Sequence, residues 1–195
     1  MQRLDPEFYV RHPLELAELL LGLTLYRQRP EGLVAGRIVE VEAYCGKDDP
    51  ASHAYRRRTE RNAVMFGPPG RLYVYFTYGM HHCANIVADE DGLAGAVLLR
   101  AVEPLQGLEL MAKRRNVDKP GLLAKGPGRL AQAFDLTRAD NGADLSDGDV
   151  WVGRQRRVEG PIERSVRIGI KPEMRQPWRF YEPGPWVSGP RRAIG

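Results

Sequence analysis

The feature that most constrains the fold of this chain is a pair of strand-like runs on the two sides of a tight turn, in the first of which apolar side chains alternate with tyrosine and threonine. Residues 71–78 read Arg-Leu-Tyr-Val-Tyr-Phe-Thr-Tyr, Gly-Met follows at 79–80, and residues 81–88 form a second strand-like run. Because successive strand residues point to opposite faces, two such runs around a tight turn predict a β-hairpin. A further strand-like run at 95–102 follows a turn at 89–92, so the sequence predicts an antiparallel meander.

The rest of the chain mixes helix and strand signals. Pro13 in a first turn and Gly22 as a stop bound the clearest helix. The remaining predicted elements are a strand over 33–45, helices over 107–115 and 127–135, and short strands at 150–152 and 166–170. A chain of 195 residues suits one domain with a sizeable core. We expect a single compact α+β domain over residues 1–195, with a curved antiparallel β-sheet, flanking helices and a protruding β-hairpin.

Composition narrows the class of protein. Hydrophobic residues make up 43% of the chain and charged residues 28%, which is ordinary for a soluble globular protein and excludes a disordered tail or a membrane protein. The longest apolar run, at 19–23, is far shorter than the roughly 20 residues of a membrane span. The first residues lack the apolar stretch of a signal peptide. We therefore expect a cytoplasmic protein.

The basic residues are mostly arginine, which bears on the kind of partner. Of the 29 Lys+Arg, 24 are arginine, and the formal net charge is +4. Arginine offers a planar fork for phosphate and a face that stacks on bases. An anionic partner is compatible with this composition, although a charge of +4 alone does not require one.

One face of the predicted strand over 33–45 carries acidic and phenolic side chains. Glu40, Glu42 and Tyr44 share that face, and Val39 and Val41 lie on the other, which is expected to pack in the core. Paired carboxylates are typical of acid–base chemistry, yet a strand with one face in solvent shows the same pattern. Taken alone, the pattern favours the solvated strand.

The hairpin carries a row of polar aromatic residues. Tyr73, Tyr75 and Thr77 alternate with apolar residues on the first strand, and the second strand presents His81, Cys83 and Asn85 on one face. Such a row either forms flat walls that stack on a planar group or consists of cross-strand pairs that stabilise the sheet. Tyr78 stands at the hairpin apex, where a bulky residue can wedge between base pairs or fold back on its own hairpin.

Metal and nucleotide motifs are weak or absent. His81 and His82 are adjacent on a strand and therefore point to opposite faces, and no second Cys/His pair with ligand spacing accompanies them. The phosphate-binding pattern GxxxxGK[ST] does not occur. We therefore expect neither a metal site nor a nucleotide hydrolase.

Several ordered motifs together resemble the alkyladenine (3-methyladenine) DNA glycosylase family, whose members are monofunctional. The matching segments run through most of the chain. They are Arg37-Ile-Val-Glu-Val-Glu-Ala-Tyr, Asp49-Pro-Ala-Ser-His, Arg61-Asn-Ala-Val-Met-Phe, Pro69-Gly-Arg-Leu-Tyr-Val-Tyr-Phe-Thr-Tyr-Gly-Met, Val97-Leu-Leu-Arg-Ala-Val-Glu-Pro, Lys125-Gly-Pro-Gly-Arg-Leu, Arg167-Ile-Gly-Ile, Arg179-Phe-Tyr and Trp186-Val-Ser. This many matches at the right spacing make the resemblance specific.

The resemblance implies a catalytic role for Glu42 and Arg100. Glu42 matches the general base that activates the attacking water. Arg100 and the backbone carbonyl near Ile168, a substrate-binding position, match the groups that hold this water.

The resemblance also implies the residues that contact the substrate. Tyr44, His53 and Tyr75 match the walls of a pocket around a flipped base, and the backbone amide of His53 is offered to the edge of that base. Asn85 matches the residue that obstructs the exocyclic amino group of guanine. Tyr78 matches the residue that intercalates into the duplex.

The implied activity is base excision repair without strand nicking, on double-stranded DNA that contains damaged purines. The resemblance implies no cofactor, no metal and a monomer associated with the nucleoid through DNA. His81 and His82 depart from the family pattern, which bears on groove contacts rather than on the chemistry. The alternative is a non-catalytic module that binds damaged DNA or RNA, which would give no reason for Glu42 behind the tyrosines.

Overall fold

Eight antiparallel strands form one curved sheet in the computed structural model, which describes residues 2–77, 79–154, 156–170 and 175–189. The strand order is β3-β4-β5-β2-β1-β6, with β8 on β2 and β7 on β8. The strands are β1 (Thr24–Arg29), β2 (Gly32–Cys45), β3 (Leu72–Thr77), β4 (His81–Ala88), β5 (Gly95–Gln106), β6 (Val150–Gly153), β7 (Glu163–Ser165) and β8 (Arg179–Tyr181).

The 14-residue strand β2 is the centre of the sheet. It pairs with β5 along one edge, while its other edge pairs first with β1 and then with β8. The β2–β5 register shifts at three places, between Ala35 and Gly36 and on both sides of Glu40. Such irregularities bend a strand and increase its twist. The second half of β2 therefore lies between two neighbouring strands at the bend of the sheet.

Three α-helices within the described residues flank the sheet, α1 (Pro13–Leu20), α2 (Leu108–Arg115) and α3 (Pro127–Ala133). Helix α1 begins with proline in its first turn and packs against β2, and α3 packs against β4 and β5. The apolar face of α1 contributes Leu16 and Leu20 to the core, where both are 0% exposed. Burying one such side chain stabilises the fold by about 1.5–3 kcal/mol.

The expected fold class is confirmed, including the meander, the curved sheet and the flanking helices. The hairpin of β3 and β4 projects, since Phe76 and Met80 near its end are 45% and 71% exposed. Tyr78, which the sequence predicts at the apex of this hairpin, lies outside the described residues.

The strand predicted at residues 166–170 is wrong. The strand of this region is β7, which ends at Ser165, and the next residues are irregular. Their polar groups have other partners: the Arg167 guanidinium donates to the Ala43 carbonyl, and the Ile168 amide donates to the Glu42 carboxylate. A backbone amide that donates to a side chain is not available to a strand ladder. The tail contributes a short strand instead, β8.

Candidate active site

A cavity of about 370 Å³ opens beside one face of the β3–β4 hairpin. The register pairs Tyr73 with Asn85 and Tyr75 with Cys83, so these four side chains share a face. The cavity is lined by Tyr44, Ala51, His53, Met65, Tyr73, Tyr75, Thr77, Cys83, Asn85, Ala96, Leu98, Arg100, Pro127, Ile168, Gly169 and Ile170. A mostly apolar and aromatic lining with a few polar groups is typical of a small-molecule or base pocket.

Glu42 lies directly behind the cavity wall and is 0% exposed. Its Oε1 accepts a hydrogen bond from the Ile168 amide at 2.7 Å and lies 3.2 Å from a terminal nitrogen of Arg100. Its Oε2 accepts from the Tyr44 hydroxyl at 2.9 Å. A carboxylate has about four acceptor positions, so the two hydrogen bonds and the ion pair with Arg100 leave room for a further ligand such as water.

Arg100 connects the cavity wall to a buried charge cluster. It lies on β5 and is 6% exposed. Its Nε donates to Glu40 at 2.8 Å, and another of its nitrogens donates to Ser188 Oγ at 3.2 Å. Burial alone would lower the pKa of Arg100, but the charges of Glu42 and Glu40 outweigh burial and raise it. Arg100 is therefore a permanent cation at the back of the cavity.

The Tyr44 wall is held in place from behind. The Arg167 guanidinium lies 4.6 Å from the centre of the Tyr44 ring and 4.9 Å from that of Trp178. Arg167 makes a two-nitrogen ion pair with Asp49, and both side chains are 0% exposed. Burial and the charge of Glu42 raise the pKa of Tyr44 well above its ordinary value, so its hydroxyl stays protonated and donates to Glu42.

His53 closes another side of the cavity. Its Nδ1 is hydrogen-bonded to the Tyr73 hydroxyl at 2.9 Å, and its ring meets the Tyr75 ring edge-on with centroids 4.5 Å apart. Burial and the nearby charge of Arg61 lower the pKa of His53. Its carbonyl accepts from the Asn62 side chain at 2.8 Å, which fixes the local backbone. At neutral pH the His53 ring is therefore uncharged, and its contacts hold it in one orientation in the cavity wall.

Asn85 lies on the floor of the cavity and is 4% exposed. Its Nδ2 donates to the Tyr73 carbonyl at 3.0 Å across the hairpin, so its rotamer is fixed. Beside it, burial raises the pKa of the Cys83 thiol. Cys83 is therefore a small apolar surface rather than a reactive thiolate.

An arginine-rich loop borders the cavity. Arg56, Arg57 and Arg58 are exposed, and the Arg61 guanidinium lies 5.6 Å from the centre of the Tyr75 ring. Asn62 anchors the loop, because its side chain also donates to the Arg57 carbonyl at 3.0 Å. The loop therefore presents cationic groups beside the mouth of an aromatic cavity.

The structure brings together every candidate site residue that lies within its described part. Tyr44, His53, Tyr75, Asn85, Ile168 and Arg100 line one cavity, with Glu42 behind it. The solvated-strand interpretation of Glu40 and Glu42 is wrong, because both are 0% exposed. Sequence reasoning included Tyr73 only in the polar aromatic row that was interpreted either as flat walls or as cross-strand pairs, and it did not assign Asn62 or Arg167 to the site. Tyr73 continues the alternation of Tyr75, and that was the available signal.

Two findings concern other classes of site. In the described ranges, no group of three or more His, Cys, Asp or Glu side chains is arranged to hold a metal ion. Of the helices that the structure describes, none has the length and apolar character needed to span a membrane.

The fold and the cavity define an α+β protein with a buried carboxylate behind a pocket walled by tyrosine rings. A family model described as methylpurine-DNA glycosylase (MPG) matches residues 7–185 of the chain. The chain therefore belongs to the methylpurine-DNA glycosylase family, and it is a DNA repair glycosylase whose substrate is DNA.

Individual relatives agree with this assignment over nearly their whole length. A protein of Chlorobaculum parvum is 47% identical over 194 residues, which cover 98% of this chain and 93% of the relative. A protein of Methanocella arvoryzae is 46% identical over 205 residues, covering 100% and 99%. One of Alkaliphilus oremlandii is 42% identical over 199 residues, covering 95% and 98%. All three carry the name "Putative 3-methyladenine DNA glycosylase".

Proposed function

We propose that this glycosylase flips alkylated or deaminated purines out of duplex DNA and hydrolyses their N-glycosidic bond with a water activated by Glu42. The substrates are purines of the 3-methyladenine, 7-methylguanine, hypoxanthine and ethenoadenine class. The observation that carries the proposal is the placement of Glu42, which is fully buried and held by hydrogen bonds from Tyr44 and Ile168 and by an ion pair with Arg100. All three of these partners line the aromatic cavity.

The cavity supports a flipped base as the ligand. An enzyme cannot reach the glycosidic bond of a stacked base, so the nucleotide is extruded at a cost of a few kcal/mol, which is least for damaged pairs. Tyr44, His53 and Tyr75 offer ring faces and edges to a planar group. A purine made cationic by alkylation gains about 0.5–2 kcal/mol from a tyrosine face. Asn85, fixed on the floor, would disfavour undamaged guanine by obstructing its amino group. 7-Methylguanine carries the same group, but its cationic base leaves more readily.

The reaction breaks the bond between the sugar C1′ and the base nitrogen, and the electron pair of that bond leaves with the base. A cationic alkylated purine therefore leaves as a neutral base, whereas a neutral lesion such as hypoxanthine first takes up a proton and then leaves as the neutral base. The sugar passes through an oxocarbenium-like transition state, as in other glycoside hydrolyses. Glu42 takes a proton from water while the water oxygen bonds to C1′, and its negative charge stabilises the developing cation. Arg100 and the Ile168 backbone hold Glu42 and the water in the positions that the proton transfer requires.

A single-turnover excision assay tests the proposed function. Enzyme in excess is mixed with duplexes that contain hypoxanthine, ethenoadenine or a 3-methyladenine-type lesion, and the released base is measured. We expect free base from the lesion duplexes and none from an undamaged duplex of the same sequence. Tight lesion binding without release from any lesion would favour the binding-module alternative. If the protein neither binds these lesion duplexes nor releases a base from them, the proposed substrate class is refuted.

The intercalating role of Tyr78 is a prediction from the sequence, and it concerns a residue between Thr77 and Gly79 at the hairpin turn. We expect Tyr78→Ala to weaken base flipping, because the space left in the duplex is no longer filled. The measurement is the fluorescence change of ethenoadenine when its duplex is bound. Phe76→Ala is the control, since it removes a 45%-exposed aromatic ring from the same hairpin. A fluorescence change equal to that of the wild type in Tyr78→Ala would contradict the intercalating role.

Monofunctional chemistry predicts that no covalent intermediate accumulates. A lyase forms a Schiff base between an amine and the sugar. Among the described residues that line the cavity there is no lysine, and Lys171, which follows the lining residue Ile170 in the sequence, lies outside the described residues. Lys125 donates to the Pro185 carbonyl at 2.9 Å instead of entering the cavity. We therefore expect borohydride to trap no protein–DNA adduct during excision, with a lyase-type glycosylase as the positive control. A trapped adduct on this protein would contradict the monofunctional assignment.

A further inference from the structure

A second carboxylate, Glu40, lies two residues before Glu42 and is also 0% exposed. The Glu42 partners Tyr44, Ile168 and Arg100 all line the cavity, whereas of the Glu40 partners Arg100 lines it and Arg179 and Ser188 do not. Four hydrogen bonds reach Glu40, from Arg100 Nε and Arg179 Nε at 2.8 Å each and from the amide and hydroxyl of Ser188 at 2.5 and 2.9 Å. A carboxylate offers about four acceptor positions. Glu40 is therefore saturated with donors and is not available to a water in the cavity.

Arg100 links the two carboxylates through different nitrogens. Its Nε donates to Glu40, one terminal nitrogen lies 3.2 Å from Glu42 Oε1, and the other donates to Ser188 Oγ at 3.2 Å. A guanidinium with free nitrogens prefers a two-nitrogen contact with a single carboxylate. Glu40 and Ser188 occupy the nitrogens that such a contact with Glu42 would need.

The charges of this cluster balance. Glu40 and Glu42 carry two negative charges, and Arg100 and Arg179, which are 6% and 1% exposed, carry two positive charges. Without the charge of Glu40, both cations would act on Glu42 alone. Charges interact strongly where water is excluded, so the two cations would make Glu42 a weaker proton acceptor for the attacking water.

We propose that Glu40 is a positioning residue of the excision reaction. It holds Arg100 in a single-nitrogen contact with Glu42 and balances Arg179, so that Glu42 stays free to take a proton. The inference rests on the proposed function, in which Glu42 is the base. It assigns to the first carboxylate of the Glu-Val-Glu segment a task that is distinct from proton transfer.

The test is the Glu40→Gln variant in single-turnover excision of hypoxanthine, with the enzyme varied in excess over the duplex. The maximal rate and the enzyme concentration at half-maximal rate are measured separately. We expect the maximal rate to fall about 10- to 100-fold while the half-maximal concentration changes less than about threefold. A loss of folded enzyme has the opposite signature, because it raises the half-maximal concentration and leaves the maximal rate unchanged.

Glu182→Gln is the matched control. Glu182 is a 5%-exposed carboxylate next to β8 that lies 2.5 Å from a nitrogen of Arg37 and does not contact Arg100. We expect this variant to lose stability and to keep the maximal rate. Ser188→Ala is the second test, since it removes the hydroxyl that contacts both Glu40 and Arg100 without burying an unpaired charge. We expect its maximal rate to fall about 2- to 10-fold.

An unchanged maximal rate in folded Glu40→Gln, or an equal fall in Glu182→Gln, would overturn the inference. If Glu40→Gln does not fold, Ser188→Ala decides, and an unchanged maximal rate in that variant overturns it. Failure of the proposed function has a different signature: wild-type protein would release no base, or Glu42→Gln would keep the wild-type rate.

Discussion

Glu42→Gln is expected to lower the maximal single-turnover rate of base excision by about 10²- to 10⁴-fold, the usual contribution of a general base. The amide still accepts one hydrogen bond, but it cannot take a proton from water. The cavity wall is unchanged, because Tyr44, Ile168 and Arg100 stay in place around it. Affinity for a lesion duplex should therefore be retained, and binding and excision are measured side by side on the same duplex.

Glu163→Gln is the control for this prediction. Glu163 on β7 accepts a hydrogen bond from the Tyr181 hydroxyl at 2.7 Å, much as Glu42 accepts from Tyr44, but it lies outside the cavity wall. We expect wild-type rates from this variant. A near-normal rate in Glu42→Gln would exclude Glu42 as the base, and equal losses in the two variants would point to a general effect on the sheet.

Asp49→Asn is expected to have the largest effect on stability. Asp49 and Arg167 are both 0% exposed, and the Asn side chain leaves the Arg167 charge buried without its counter-charge. Breaking a buried pair in this way costs about 3–5 kcal/mol. For a domain of this size, each kcal/mol lowers the melting temperature by about 2–4 °C. Thermal unfolding followed by circular dichroism should thus show a decrease of about 6–20 °C.

An exposed ion pair provides the comparison. Glu18 and Arg164 are 3.0 Å apart, with side chains 45% and 56% exposed. Exposed pairs contribute at most about 1 kcal/mol because water and salt screen them. Glu18→Gln should therefore shift the melting temperature by only a few degrees. If Asp49→Asn behaves like Glu18→Gln, the buried pair does not stabilise the fold in the way that its burial suggests.

Strand alternation predicted which side chains share a face: it placed Tyr75 and Asn85 on faces that the observed register brings together, and Glu42 and Tyr44 on one face of β2. The roles of these residues, and the choice of His53, Arg100 and Ile168, came from the family resemblance. Strand alternation did not reveal Asn62, whose role depends on contacts with two carbonyls in an irregular loop. No periodic pattern describes such a loop, so its contacts follow only from its three-dimensional path.

The sequence by itself determined the fold class, the order of the family motifs and the faces on which the chemical side chains lie, because strand periodicity is a local property of the chain. It did not determine whether the face with Glu40 and Glu42 meets water. That depends on β8 and on Ser188, which are more than 130 residues away and bury both carboxylates. The same long-range contacts divide the two roles: Glu40 is surrounded by donors, and Glu42 faces the cavity wall. Only the tertiary packing decides which carboxylate serves which role, because Glu40 and Glu42 lie on the same face of one strand and differ only in the residues that surround them.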